Sequence, residues 1–214
     1  MESINIEQLK NALICASDLI IESEPYLTQV DTIIGDGDHG IGMKTGFTAL
    51  KSLLKRTEFS DLFELFRSSG IELLRVMGGA SGVIFGTMFI GGHETVRDKK
   101  SLNADELINF FEQGAASIMK RGRSCIGDKT MLDALIPAID AMKAKNRETN
   151  DITAVLQSAY NGALGGVKNS EQLLPKIGRA KNFREKGIGY PDPGAVSVSI
   201  IFKGIYMYIK SIEN

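Results

Sequence analysis

The chain has 214 residues, 43% of them hydrophobic, which is enough for one substantial core, so a single domain over residues 1–214 is expected. Its 25 basic and 26 acidic residues nearly cancel, giving a formal charge of −1 without the basic footprint of a nucleic-acid binder, and no stretch approaches the roughly 20 apolar residues of a membrane helix. The two cysteines, Cys15 and Cys125, form no metal-type spacing, and no signal-like apolar run opens the chain; together these features suit a reduced, cytoplasmic protein with no nucleic-acid or membrane partner.

In chain order, Ile6, Leu9, Leu13, Ala16 and Ile20 recur at three- and four-residue steps, the face of an amphipathic helix. The segment Asp31-Thr32-Ile33-Ile34-Gly35-Asp36-Gly37-Asp38-His39 then crowds three carboxylates and a histidine together. Its glycines permit a tight bend that turns several oxygens toward one point instead of spreading them along a helix. Asp31, Asp36 and Asp38 could in this way ligate a hard divalent cation such as magnesium, which takes a few carboxylates and leaves its other positions to water and phosphate. A solvated acidic turn has the same composition, and the residues alone leave both readings open. A calcium helix-loop-helix site is excluded, because no Glu closes the loop and an Ile-Ile pair sits inside it.

Helical rhythms follow over residues 41–56, 61–77 and 81–97. Between the last two lies Gly78-Gly79-Ala80-Ser81-Gly82, a candidate phosphate cradle in which backbone N–H groups approach an anion and Ser81 caps the next helix. A plain helix–helix turn would read the same way, and neither Walker nor Rossmann spacing is present. His93, after Gly91-Gly92, is expected to be structural or superficial. Leu107, Phe111, Ala115 and Ile118 mark another helix, and Met131, Leu135, Ala138 and Met142 the next, joined by the loop from Gly122 in which Asp128 is expected to be the helix cap.

After a helical segment over 151–168, Gly178-Arg179-Ala180 and Asp192-Pro193-Gly194-Ala195 bracket a polar stretch with three basic side chains. It is either a loop that closes over an anion or an exposed connector. Val198, Ile201, Ile205, Tyr208 and Ile212 have helical spacing, although β-branched Val196 to Phe202 would also suit a strand. The pattern predicts an all-α protein, an antiparallel bundle or barrel of roughly eight helices.

The order and spacing of Ile34-Gly35-Asp36-Gly37-Asp38-His39-Gly40, Gly78-Gly79-Ala80-Ser81-Gly82, Gly127-Asp128-Lys129-Thr130-Met131-Leu132-Asp133, Gly178-Arg179-Ala180 and Asp192-Pro193-Gly194-Ala195 add a further reading. Over nearly its whole length the chain resembles the nucleotide-binding (L-type) subunits of bacterial phosphoenolpyruvate-dependent dihydroxyacetone kinases. That resemblance implies an antiparallel eight-helix barrel with ADP or ATP and two magnesium ions among the loops at one end. It implies Asp31, Asp36 and Asp38 as magnesium ligands, and His39, Ala80 and Ser81 at the phosphates. Gly122 and Met131 would lie near the adenine, with Arg179, Asp192, Pro193 and Gly194 completing the site. No side chain would attack covalently, since phosphoryl transfer needs chiefly positioned phosphates and neutralised charge.

The same resemblance implies partners. A phosphohistidine donor protein of the phosphotransferase system would rephosphorylate bound ADP, and the γ-phosphate would pass to a ketose held by a separate kinase subunit. The chain departs from the family's usual pattern at Gly42 in place of asparagine, Ile177 in place of lysine, Lys181-Asn182 in place of Ser-Tyr, and Tyr190 in place of histidine. These departures leave open an exchanging, ATP-dependent kinase subunit for a ketose such as erythrulose; a separate alternative, implied by related subunits, is a non-catalytic nucleotide-loaded module that binds a transcription regulator. The intact aspartate triplet argues against the second.

Overall fold

The computed structural model describes residues 1–182 and 184–213, with only the backbone of Arg179 and Arg184. Its apolar stripes fold into helices α1 (Ile6–Glu22), α2 (Glu24–Ile34), α3 (His39–Arg56), α4 (Leu62–Val76), α5 (Gly79–Gly92), α6 (Ala104–Gly122), α7 (Leu132–Asn146), α8 (Ile152–Ser170) and α9 (Pro193–Ser211). Eight of these close a ring: α1 packs on α3, each later helix packs on the next, and α9 returns to α1. Neighbours in the ring run in opposite directions, so α3, α5, α7 and α9 begin at one end and α1, α4, α6 and α8 at the other. The eight staves are those whose periodicity the sequence displays.

The remaining helix, α2, corrects the sequence reading, which had only a bend around Asp31. Pro25 in its first turn lets α2 start directly after Ser23, the single residue between it and α1, and Leu27, Val30, Asp31 and Ile34 share its buried face. It packs beside the ring against α3 and α9. A second correction concerns residues 81–97: α5 stops at Gly92, and His93–Val96 continue as a single 3-10 turn. The β-branched run in α9 is helical. Asp192 caps it and Pro193 opens it, while Val196, Val198, Ile201, Phe202 and Ile205 are buried on the stave, so tertiary burial overrides strand propensity.

One contiguous core fills the ring. Phe66 stacks on Phe110 with 3.8 Å between ring centroids, and Phe111 packs on Phe202 at 4.9 Å. Closure of α9 on α1 depends on Gly204, where a Cβ would fall 2.4 Å from the Ala16 Cα. At the end where α1 and α6 begin, two three-residue strands, β1 (Ser3–Asn5) and β2 (Ser101–Asn103), pair antiparallel. No helix among the described residues is long and apolar enough to cross a membrane.

Candidate functional site

Only Gly35-Asp36-Gly37-Asp38 separate α2 from α3. The Gly35 N–H donates to the Asp31 carbonyl at 2.6 Å, and a Cβ on Gly35 would lie 2.1 Å from Asp31 Oδ1, so glycine alone leaves room for that carboxylate. The turn brings one carboxylate oxygen each from Asp31, Asp36 and Asp38 within 4.8 Å of one another, Asp31 buried and the other two exposed. The His39 N–H donates to Asp31 Oδ2 at 3.1 Å and fixes the buried member of the set. Three like charges this close repel, and an all-oxygen set open to solvent on one side suits a hard divalent cation.

His39, in the first turn of α3, links three helices. Its Nε2 lies 2.8 Å from Ser197 Oγ on α9, and its Nδ1 lies 3.2 Å from Ser81 Oγ on α5. Ser197 spends its only proton on the Pro193 carbonyl at 3.0 Å, so Nε2 must be the donor to Ser197 and Nδ1 the acceptor from Ser81. Burial lowers the imidazole pKa, partly offset by the Asp31 charge and the Pro193 carbonyl, and this favours the neutral ring that the network requires.

These groups border a cleft of about 350 Å³ at the end of the ring where α3, α5, α7 and α9 begin. Asp31, Asp36, Asp38, His39, Ala80, Ser81, Gly122, Met131, Asp192, Pro193 and Gly194 all line it. Arg179 begins a 3-10 turn between the cleft-lining residues Gly178 and Ala180, but its side chain lies outside the described part of the structure. Ile34, Ile84, Phe85, Ile118 and Ile177 supply apolar wall. At three of the four helix starts here, those of α3, α5 and α7, the N-cap residue makes no side-chain bond. Asp31 takes the first N–H of α3 and Thr130 Oγ1 that of α7, so the start of α5, behind Gly78, is the one whose N–H groups and positive dipole end best suit an anion. Gly79 takes φ +68°, a left-handed conformation natural to glycine, as the chain turns into α5.

Two expectations about caps are corrected. Ser81 does not cap α5; the N-cap position is Gly78, and Ser81 turns to His39. Asp128 does not cap α7. Its Oδ2 accepts from the Cys125 N–H at 2.8 Å, which holds its pKa below the usual carboxylate range. The loop is wrapped instead around Asp133, whose two oxygens accept from the Gly127 and Thr130 N–H groups at 2.6 and 2.7 Å.

Asp192 caps α9, accepting from the Ala195 N–H at 2.8 Å, and is only 8% exposed. Burial raises its pKa to about 7; Asp133 and Asp31 push the same way, against the Ala195 N–H and Lys129. Of the departures from the family pattern, Ile177 lines the cleft, whereas Lys181, Asn182 and Tyr190 are exposed and do not. Gly42 faces open space, with no heavy atom within 4 Å of a built Cβ.

Sequence reasoning did not assign roles to Ser197 or Lys129. Ser197 is four residues past Pro193 on the same helix, a spacing that suits a back-bond to a carbonyl but does not indicate a histidine 158 residues away.

The chain belongs to the DAK2 domain family, whose model matches residues 33–207. Within that family it is similar to the PEP-dependent dihydroxyacetone kinase, ADP-binding subunit DhaL of Escherichia coli (strain K12), with 31% identity over 208 residues covering 97% of this chain and 99% of that one. It is 37% identical over 195 residues to the ADP-binding subunit DhaL of PEP-dependent dihydroxyacetone kinase 2 of Listeria innocua serovar 6a, covering 90% and 89%. The dihydroxyacetone kinase of C. freundii solved with AMP-PNP and Mg2+ superposes with a TM-score of 0.71 at 25% identity; the match covers 92% of this chain and 33% of that one, so this chain spans about a third of it.

Proposed function

We propose that the chain is the nucleotide-carrying subunit of a dihydroxyacetone kinase, one domain over residues 1–214 acting in the cytoplasm. In this reading Asp31, Asp36 and Asp38 hold magnesium, which when bound neutralises phosphate charge as a phosphoryl group is transferred. Ala80, Ser81 and the uncapped start of α5 receive the phosphates of ADP or ATP. His39 positions Ser81 by accepting a hydrogen bond from its hydroxyl, and holds Asp31 through its backbone N–H. Gly122 and Met131, with Ile84 beside Gly122, form the slot for the adenine. Arg179, Asp192, Pro193 and Gly194 complete the site from the C-terminal side.

The observation that carries the reading is the meeting of three carboxylates with the uncapped start of α5 in one cleft. Acidic groups alone would repel a polyphosphate, and helix starts alone would repel a cation; together they fit a metal–nucleotide complex. The names borne by the similar L-type proteins support it.

The chain's two histidines are His39, committed to Ser81 and Ser197, and His93, stacked on Phe63 at the far end. Neither is placed to hold a ketose. In this reading, as the resemblance implies, a partner kinase subunit presents dihydroxyacetone, and a phosphohistidine protein of the phosphotransferase system recharges the bound ADP.

The test is to purify the protein without added nucleotide, quench it in acid and count ADP, ATP and magnesium per chain. Near-stoichiometric ADP, with dihydroxyacetone phosphate formed only when both partners are added, is expected. A protein that neither retains nor takes up magnesium–ADP would overturn the reading, and an empty one that turns over added ATP would make it an exchanging kinase subunit.

A further inference from the structure

Lysine at the edge of a nucleotide cleft is ordinarily a point charge for phosphate. Lys129 is not available for that. Its side chain is 1% exposed, and its Nζ donates to four backbone carbonyls: Ser170 at 2.9 Å, Leu173 at 3.2 Å, Gly187 at 2.6 Å and Tyr190 at 2.8 Å. An ammonium has three protons, so this set engages all of them. Ser170 is the last residue of α8, where the helix end is negative and favours a cation; Gly187 and Tyr190 belong to the far side of the loop that returns to α9.

We infer that Lys129 is a positioning residue whose buried ammonium clamps residues 170–173 and 187–190 by their main chain and so holds Ile177, Gly178, Ala180 and Asp192 against the cleft. Three further bonds work in the same direction. The Lys176 N–H donates to the Asp128 carbonyl at 3.2 Å, the Gly189 N–H to the Glu171 carbonyl at 2.8 Å, and the Asp192 N–H to Ser170 Oγ at 3.0 Å. Lys129 itself sits at φ +61°, a left-handed conformation that a residue other than glycine keeps only when its surroundings hold it. Carbonyl acceptors carry no side-chain information. The loop can therefore bear Ile177, Lys181, Asn182 and Tyr190 in place of the family's usual residues without losing its anchor.

The functional consequence rests on the nucleotide-site reading above; the clamp itself does not. The test uses the full chain with Lys129→Met, which keeps the stem and removes the charge. Amide hydrogen exchange over residues 171–192 is expected to rise while α1 and α6 stay protected. Magnesium–ADP affinity should fall roughly 10- to 100-fold, the range for residues that act through others. Unchanged exchange with weakened ADP binding would make Lys129 a direct phosphate ligand and overturn the clamp, as would no change in either.

Should the variant fail to fold, the wild-type protein labelled with 15N-lysine decides. One ammonium resonance with slowly exchanging protons and cross-peaks to Gly187 and Tyr190 supports the clamp, and rapid exchange of every lysine ammonium overturns it. If neither protein binds magnesium–ADP, the nucleotide reading fails while the exchange and ammonium results still judge the clamp.

Discussion

The two ends of the ring are built on opposite principles. At the end away from the cleft, all four helix starts are sealed by a side chain: Asn5 on α1, Asp61 on α4, Asn103 on α6 and Asp151 on α8, the first and third as reciprocal capping boxes with Gln8 and Glu106. A strand pair and the contact of the Met1 amino group with Asp151 add to the closure. At the cleft end the N-cap residues of α3, α5 and α7 make no such bond, although Asp31 and Thr130 take the first N–H of α3 and of α7, and the glycines at positive φ among the described residues, Gly37, Gly79, Gly127, Gly178 and Gly189, all fall there. One end closes its helix starts with side chains; the other gathers three carboxylates beside a helix start whose N-cap is a glycine. Stability and binding are thereby separated along the axis of the ring, and substitutions at the two ends should have different readouts.

The largest effect is expected from Asp36→Ala, which removes one of three converging oxygens. Magnesium-dependent ADP retention should fall by about 3 kcal/mol, roughly 100-fold, in an equilibrium binding titration. Retention unchanged by the substitution would remove the metal assignment. Next is Gly78→Asp, which gives α5 the kind of cap its opposite-end counterparts have. The backbone there is already extended and a Cβ meets nothing within 4 Å, so thermal stability should hold or rise slightly. ADP affinity should drop roughly tenfold, because the new carboxylate occupies the donors and repels phosphate. Tighter ADP binding in that variant would contradict the division between the two ends.

The mirror experiment is Asn103→Ala. Losing a cap there should cost about 1 kcal/mol and lower the melting temperature by about 2–4 °C, with nucleotide affinity unmoved.

The smallest effect concerns Asp192, the N-cap carboxylate of α9 at the cleft. Its carboxyl is raised from 3.8 to about 7 in the folded chain, so ionisation opposes folding: the penalty begins above 3.8 and is complete above about 7. Asp192→Asn keeps an oxygen for the Ala195 N–H and removes the charge. It should stabilise the nucleotide- and metal-free protein at pH 8 by about 1 kcal/mol or less, since water entering the open cleft relieves part of the desolvation. At pH 3.5 the difference should vanish; an equal gain at both pH values would point to packing instead of charge.

The ring was legible because each stave repeats apolar residues at helical spacing, and the acidic triplet was legible because charge density needs no tertiary knowledge. What escaped had identifiable causes. In α2 the spacing of Leu27, Val30 and Ile34 was present, but Asp31 shares that buried face, and the nearby glycines made the stretch read as a bend. Asp128 looks like a cap because it precedes an apolar run, yet the loop between doubles back so that Asp133, inside the helix, accepts the loop's N–H groups. Ser197 and Lys129 act on partners 41 to 158 residues distant, and nothing in local composition reports such contacts.

The histidines add a spectroscopic handle to this arrangement. His39 sits in the cleft between Ser81 and Ser197, whereas His93 is stacked on Phe63 with 4.7 Å between ring centroids, just past the far end of α5. With no third imidazole in the chain, a nitrogen spectrum of the native protein contains one ring that senses occupancy of the cleft and one that stays indifferent to it. The molecule carries its own signal and its own reference at opposite poles, so ligand exchange can be timed without any attached label.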